Sequence, residues 1–535
     1  MKKHLLIGKK MNSVSTLLFF LISLNSFAQA PTINWQNTIG ADQNDFITSV
    51  KNTSDGGYIT GGYSSSSQSG DKSENSIGMD DYWIVKVDSS GLIEWENTIG
   101  GTNIDKCFAV AQTSDGGYIV GGWSNSGISG DKTEPSNGLI DYWIVKLNST
   151  GLIEWQKSIG GDRDDIFQSM VSTSDGGFLL GGYSDSSISE DKSENSIGCL
   201  DYWVVKLDSL GNIEWDNTIG GDSCDNLAKV LQTLDGGYIL IGDSLSGVFG
   251  DKTDPSNGNV DYWVVKLDSD GNIEWQNSVG GSYIDNAKDI IQTSDGGYLL
   301  GGASRSDTSG DKTEDSIGYY DIWVVKIDNL GNIVWDNTIG GNSNDSVNSL
   351  IETSENNFVI GGWTTSTISG DVTESLNGSE DAWILKLDSS GLIIGQDFLG
   401  GDGAEGINEI IKKSNGELLI AANSNSDISG DKTENSNGGL DYWIVNLNSE
   451  TLSTTENIDM DTLSVFPNPV ESFLNFRNLN SNEVIVQIFS VTGQKIEIIS
   501  IISNNKIDLS NLTTGVYYLQ ISTPEGSFTN KMIKL

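Results

Sequence analysis

Histidine is all but missing from this chain. The one copy, His4, lies among the first few residues. Once a leader is removed the protein has no imidazole, which excludes Ser-His-Asp and Cys-His catalysis and every His-ligated metal site. Cysteine is nearly as scarce. Cys107, Cys199 and Cys224 are an odd, sparse set and do not make a disulfide framework, though Cys199 and Cys224 could pair. Basic residues are few, 30 Lys and Arg against 74 Asp and Glu, for a net charge of −44. A chain of that sign avoids nucleic acid and anionic membrane and favours cations. Proline is rare, with 6 copies. No segment beyond the first thirty residues is apolar enough to serve as a transmembrane span.

The chain has 535 residues, a length that suggests several domains. Its 64 Gly and 15 Trp, with 36% hydrophobic residues, give too many apolar anchors for a disordered acidic chain. Together they point to an all-β protein rich in tight turns.

Residues 1–30 read as a signal peptide. Lys2, Lys3, Lys9 and Lys10 form a positive start, Leu17 to Ile22 an apolar centre, and Ser26-Phe27-Ala28-Gln29-Ala30 a small-residue end that offers cleavage after Ala28 or Ala30. Met11 is an alternative start, and a membrane anchor is the rival reading. Cleavage after Ala30 leaves 26 basic against 74 acidic residues, a net charge of −48.

A repeat governs the next 420 residues or so. Trp35, Trp95, Trp155, Trp215, Trp275 and Trp335 recur every 60 residues. So do Trp83, Trp143, Trp203, Trp263, Trp323, Trp383 and Trp443. A fixed period of this size implies a propeller, a solenoid or an array. Each copy predicts four short strands. In residues 41–100 they are Asp45 to Val50, Tyr58 to Gly62, Asp81 to Val87 and Leu92 to Ile99. The first two are joined by the turn Thr53-Ser54-Asp55-Gly56-Gly57, whose glycine supplies positive φ. The last two are joined by Asp88-Ser89-Ser90-Gly91. Four-stranded antiparallel units repeated seven times are the blades of a seven-bladed β-propeller, here over residues 31–450, with an open solenoid as the runner-up.

Blades stack face to face, so the continuous apolar run Tyr82-Trp83-Ile84-Val85 suits a strand buried on both sides. The two Trp series then pack between blades, with sugar stacking as the lesser role. The last copy lacks a fourth strand, and the orphan Thr32 to Ile39 predicts that the N-terminal strand completes it and closes the ring, removing exposed edges. Copies six and seven depart from the pattern. Glu355-Asn356-Asn357 replaces Asp-Gly-Gly, Gly395 replaces Trp, and Ala421-Ala422 replaces Gly-Gly. Those blades are expected to pack less uniformly.

Residues 451–462 are polar and read as a linker. Residues 463–535 alternate polar and apolar residues between turns, as in Glu483 to Phe489, which suggests a small Ig-like β-sandwich. Phe466-Pro467-Asn468-Pro469, Val491-Thr492-Gly493-Gln494-Lys495, Leu512 to Leu519 with Gly515 and Tyr517, and a final Lys531-Met532-Ile533-Lys534-Leu535 follow in order. This set resembles the C-terminal sorting domains of type IX secretion found in Bacteroidetes, with Phe466 in place of the more usual Tyr. The resemblance implies passage through the periplasm, engagement of the type IX machinery, and a secreted or outer-membrane surface location. It says nothing of the propeller's own activity.

The strand order puts the two tight turns at one end of each blade. The long loop containing Ser-Gly-Asp-Lys and the inter-blade connection lie at the other. That second face collects Asp45, Asp71, Glu74 and Asp81, then Asp105, Asp131, Glu134 and Asp141, then Asp165, Asp191, Glu194 and Asp201. Binding sites favour loops on rigid scaffolds, so this is the candidate binding face. Its oxygens make Ca²⁺ a candidate ligand. The competing reading has Asp71 and Asp81 capping loop amides and the acidity serving solubility. Asp268-Ser269-Asp270-Gly271-Asn272 mimics part of a calcium loop, but its counterparts mark it as a hairpin turn. Paired carboxylates suffice for glycosidic cleavage, yet the acids recur in every copy and none breaks the symmetry as a nucleophile or base. The expectation is therefore a non-catalytic surface or released propeller that binds a glycan or envelope protein. A carboxylate-dependent glycan-active enzyme and a purely structural surface component are the alternatives.

Overall fold

The computed structural model describes residues 32–448 and, nearer the C-terminus, 464–466, 470, 472–477, 484–490, 495–501, 506–523 and 526–535. The signal peptide, the linker, and Pro467, Asn468, Pro469 and Gly493 lie outside the described residues. The chain divides into two compact units, residues 1–454 and 455–535. Among the described residues the regular structure is entirely β.

In the first unit every copy folds into one four-stranded antiparallel sheet, and there are seven of them. Blade 1 pairs Asp45–Asn52, Tyr58–Ser64, Asp81–Val87 and Ile93–Ile99 in that order. Blade 7 pairs Glu405–Lys412, Leu418–Ser424 and Asp441–Leu447, and its fourth strand is the N-terminal Ile33–Ile39, registered with Ile39 opposite Tyr442. The ring therefore closes as the orphan strand predicts. First strands of successive blades touch, which places them at the axis. Each carries a bulge, between Ile47 and Ser49 in blade 1, which bends the strand and re-aims the residue it displaces.

The inter-blade core follows from the third strands. Trp83 and its six counterparts are fully buried, so none of them can offer a face to a sugar. Tyr82 packs on Trp143 of the next blade at 4.9 Å between ring centroids, and its hydroxyl donates to the Trp143 carbonyl at 2.9 Å. The other Trp series packs on the hairpins. A Cβ on Gly151 would fall 2.9 Å from Trp95, so only glycine fits beneath the indole.

Blades 5 to 7 lose parts of this pattern. Ile322 and Ala382 replace the tyrosine, and the Trp383 indole N–H has no hydrogen-bond partner. Asn356 takes φ 58° where the turn elsewhere has glycine, a conformation that Asn tolerates better than most residues. Cys199 and Cys224 form a disulfide, with Cα atoms 5.0 Å apart. The parallel bridge between Leu200 and Cys224 juxtaposes them, and five other blade junctions repeat that bridge without cysteine pairs.

The second unit has two sheets. Ser464–Phe466, Phe473–Arg477 and Lys506–Asp508 form one. Lys495–Ile501, Val484–Ser490, Gly515–Thr523 and Gly526–Lys534 form the other, in that spatial order. Leu474, Val486, Ile488, Ile507, Leu519 and Met532 fill the core they share. Of the motif residues, Lys495 is exposed, Gly515 begins the long hairpin, and the Tyr517 hydroxyl donates to the Thr513 carbonyl at 2.8 Å. Lys531 lies on the last strand. Lys534 is buried and bridges to Val470, the residue after the Pro-Asn-Pro segment.

Candidate functional site

The acids of the long-loop face are built into the loops. Asp45, Asp105 and Asp165 are fully buried. Each accepts a hydrogen bond from the backbone amide four residues earlier, at 2.7, 2.6 and 2.7 Å, and another from a serine hydroxyl. Asp81, Asp141 and Asp201 are equally buried and accept from Ile77, Asn137 and Ile197, all at 2.5 Å. Asp71, Asp131 and Asp191 are half-buried and accept from Gly40, Gly100 and Gly160 at 3.1 to 3.3 Å. Glu74, Glu134 and Glu194 reach further out and accept from Thr98, Ser158 and Thr218. The nine aspartates thus hold loop backbone in place, as short polar side chains do in turns, and the three glutamates tie the long loop to the fourth strand.

Burial dominates the titration of the nine aspartates. It pushes Asp45, Asp81, Asp141 and Asp201 up to about 6, with a second carboxylate across the blade junction adding to the effect. Among the described residues no three His, Cys, Asp or Glu side chains gather as a metal would require, so the Ca²⁺ considered from sequence is given no such donor set. Asp268 accepts from the Asp270 and Asn272 amides, both at 2.9 Å, and forms a hairpin turn.

The sevenfold symmetry breaks at the blade junctions near this face, where the second strand of one blade meets the first strand of the next. The sixth residue of each second strand is in turn Tyr63, Trp123, Tyr183, Asp243, Ala303, Trp363 and Asn423. The four aromatics are half-buried, whereas the third-strand indoles are fully enclosed. Phe46 stacks on Tyr63 at 4.9 Å, and Lys106 of blade 2 lies 4.4 Å from the Tyr63 ring centroid and 3.4 Å from the Asp80 carboxylate. Asp243 occupies the equivalent place in blade 4, where burial lifts it to about 7.

The axial channel breaks symmetry a second time. The fifth residue of each first strand reads Ser49, Ala109, Ser169, Lys229, Asp289, Ser349 and Glu409. Glu409 ion-pairs with Lys51 and accepts from the Val50 amide at 2.7 Å and the Ser49 hydroxyl at 3.0 Å. Lys229 stands 3.5 Å from Asp289, whose other oxygen accepts from the Leu350 amide at 2.8 Å. Ser49, Lys51, Lys229 and Glu409 are among the residues lining a cavity of about 60 Å³, room for a few waters. Two acids, Asp289 and Glu409, therefore break the symmetry outside the set that recurs in every copy. The signal was present in that column of the repeat, where a charge replaces Ser or Ala three times. Both acids are already committed to ammonium groups and backbone amides.

Residues 464–535 match the family described as the secretion system C-terminal sorting domain. This is the type IX domain that the terminal motifs indicate, and it marks the protein for export to the cell surface or beyond. Solved structures are similar only remotely. BBS1N, in its complex with ARL6DN, is 9% identical with a TM-score of 0.41, over 80% of this chain and 99% of that one. A putative gluconolactonase is 9% identical with a TM-score of 0.31, over 64% and 88%. An apocarotenoid oxygenase of Synechocystis is 10% identical with a TM-score of 0.36, over 74% and 89%. No curated protein matches the chain.

Proposed function

We propose that the exported propeller is a non-catalytic binding protein and that its ligand, carried by the cell envelope, docks on the long-loop face at the blade junctions. One observation carries this reading: the half-buried aromatics Tyr63, Trp123, Tyr183 and Trp363 stand at the blade junctions near this face, where the repeat gives way to a different residue set in each blade. Aromatic side chains supply large contact area at low entropic cost and are favoured where surfaces bind. Catalysis is disfavoured because the acids of the channel are consumed by ion pairs and its cavity admits only water-sized molecules.

Co-sedimentation of the purified mature protein with washed envelopes of the producing cells tests this. The wild type should sediment saturably. Trp123→Ala combined with Trp363→Ala should lose most binding while keeping the native circular dichroism. Leu152→Ala combined with Leu330→Ala, on the opposite face, should bind as the wild type does. Equal sedimentation of all three would refute the reading, as would turnover of an envelope glycan.

A further inference from the structure

Seven copies give every blade junction the same backbone, so one copy can show what another lacks. At the junction of blades 1 and 2 the Lys106 ammonium sits 4.4 Å from the Tyr63 ring centroid and 3.4 Å from the Asp80 carboxylate. An aromatic face and a carboxylate together hold one cation. Three hundred residues later, between blades 6 and 7, the aromatic is Trp363, the carboxylate is Glu380, and the lysine is replaced by Gly406.

Sterics do not demand that glycine. A Cβ on Gly406 would meet Glu380 Oε1 at 3.4 Å and Trp363 Cβ and Cδ1 at 3.8 Å, which are ordinary contacts. By contrast, a Cβ on Gly362 would come within 1.9 Å of backbone. The space beside Gly406 is therefore bounded by an indole and a carboxylate and is filled by no side chain of its own.

The surroundings also hold less positive charge than those at the junction of blades 1 and 2, since Lys432 of blade 7 acts on Glu405 but blade 6 contributes no lysine of its own there. Blade 1 has the buried Lys72 beside Asp45 and Asp81, and blade 6 has Val372 at that place. The charged neighbours that act on Glu380 are Glu405 and Asp381. Burial comes first, and with them it raises the Glu380 carboxyl above its ordinary range. No Lys or Arg among the described residues forms an ion pair with it.

We propose that the junction of blades 6 and 7 is a receptor site for an organic ammonium, the side chain of a lysine on a partner protein, seated over Trp363 with its charge on Glu380. Trp is the strongest cation–π face among the side chains, and desolvation strengthens the contact. A hard metal ion would find too few oxygens here, since an indole supplies none. The inference rests on the reading of the long-loop face as the binding face and names the chemistry it would recognise.

The probe is the peptide acetyl-Lys-Lys-Lys-amide, titrated calorimetrically into the whole mature protein. The same peptide with acetylated side chains serves as the uncharged control. The lysine peptide should bind saturably at one site and the acetylated one should not. Trp363→Ala, Glu380→Gln and Gly406→Lys should each weaken binding at least tenfold, the last by supplying the missing ammonium internally. Glu434→Gln, which removes one charge elsewhere on the same face, should not. Lys106→Gly should empty the template and raise the stoichiometry from one to two.

Affinity unaltered in Gly406→Lys and Glu380→Gln, or falling equally in Glu434→Gln, would mean diffuse attraction to an acidic protein and would overturn the proposal. A stoichiometry left at one by Lys106→Gly would also count against it. Peptide binding that passes these controls while envelope sedimentation ignores the tryptophan variants would keep the ammonium site and discard the broader reading. The opposite pattern would do the reverse.

Discussion

The hydroxyl of Tyr442 donates to the backbone carbonyl of Trp83 at 3.0 Å, joining residues 359 apart in sequence. This is the bond that Tyr82, Tyr142, Tyr202 and Tyr262 make to the next blade, at 2.9 to 3.2 Å. It therefore latches the ring shut with the same device that stacks its blades. A buried hydrogen bond of this kind contributes about 1 kcal/mol. Tyr442→Phe should lower the thermal midpoint, and Tyr202→Phe should do so to a similar degree. A Tyr442→Phe melt matching the wild type would show that closure does not depend on this contact.

Stability should peak in mild acid. Burial raises Asp45, Asp81, Asp141, Asp201, Asp261 and Asp321 from an ordinary 3.8 to about 6. Between those values the folded protein binds protons that the unfolded chain does not, so stability rises as pH falls from about 6 to about 4. The turn face acts in the opposite sense. The Thr113 hydroxyl, the Gly117 amide and Lys146 hold Asp115 at about 2, so the stability it contributes above 3.8 is lost as pH falls toward 2. Melts across pH 2 to 8 should be highest near pH 4 to 5. A midpoint that climbs steadily from pH 5 to pH 8 would contradict this assignment.

The channel charges should matter for stability rather than for turnover. Glu409→Gln leaves Lys51 without its partner and weakens the field at Lys229. Because both lysines are partly exposed, the loss should be about 1–2 kcal/mol, below that of a fully buried pair. Denaturant unfolding measures it. Glu409→Gln combined with Lys51→Met should recover part of the loss. A double variant no better than the single one would mean that Lys51 is not the relevant partner.

Much of this architecture was legible because the repeat made the chain its own alignment. Trp83 and its counterparts marked the buried strand, and Thr32 to Ile39 declared the missing strand of the last blade. What escaped was which way each acid faces. The sequence leaves Asp81 open to capping loop amides or to binding a cation and suggests no cap for Asp45, yet both accept from backbone amides in their own loops, a role that spacing alone cannot distinguish from ligand binding. The functional signals lay in the departures from the repeat. Val372 for Lys; Lys229, Asp289 and Glu409 for Ser or Ala; and Gly406 in a column that is Lys only in blade 2 are single-residue changes. They acquire meaning only when blades are neighbours in space. The Cys199–Cys224 pairing could be raised from sequence but not decided there, since the bridge that joins their segments is a property of the ring.

Hydrogen exchange on the mature protein, with and without washed envelopes at saturating binding, tests most directly whether the long-loop face is where this propeller works. Exchange should slow in loops 65–80 and 365–380 and at the starts of the adjoining first strands, and stay unchanged in turns 53–57 and 353–357. Protection confined to those turns, or spread evenly over both faces, would contradict the account.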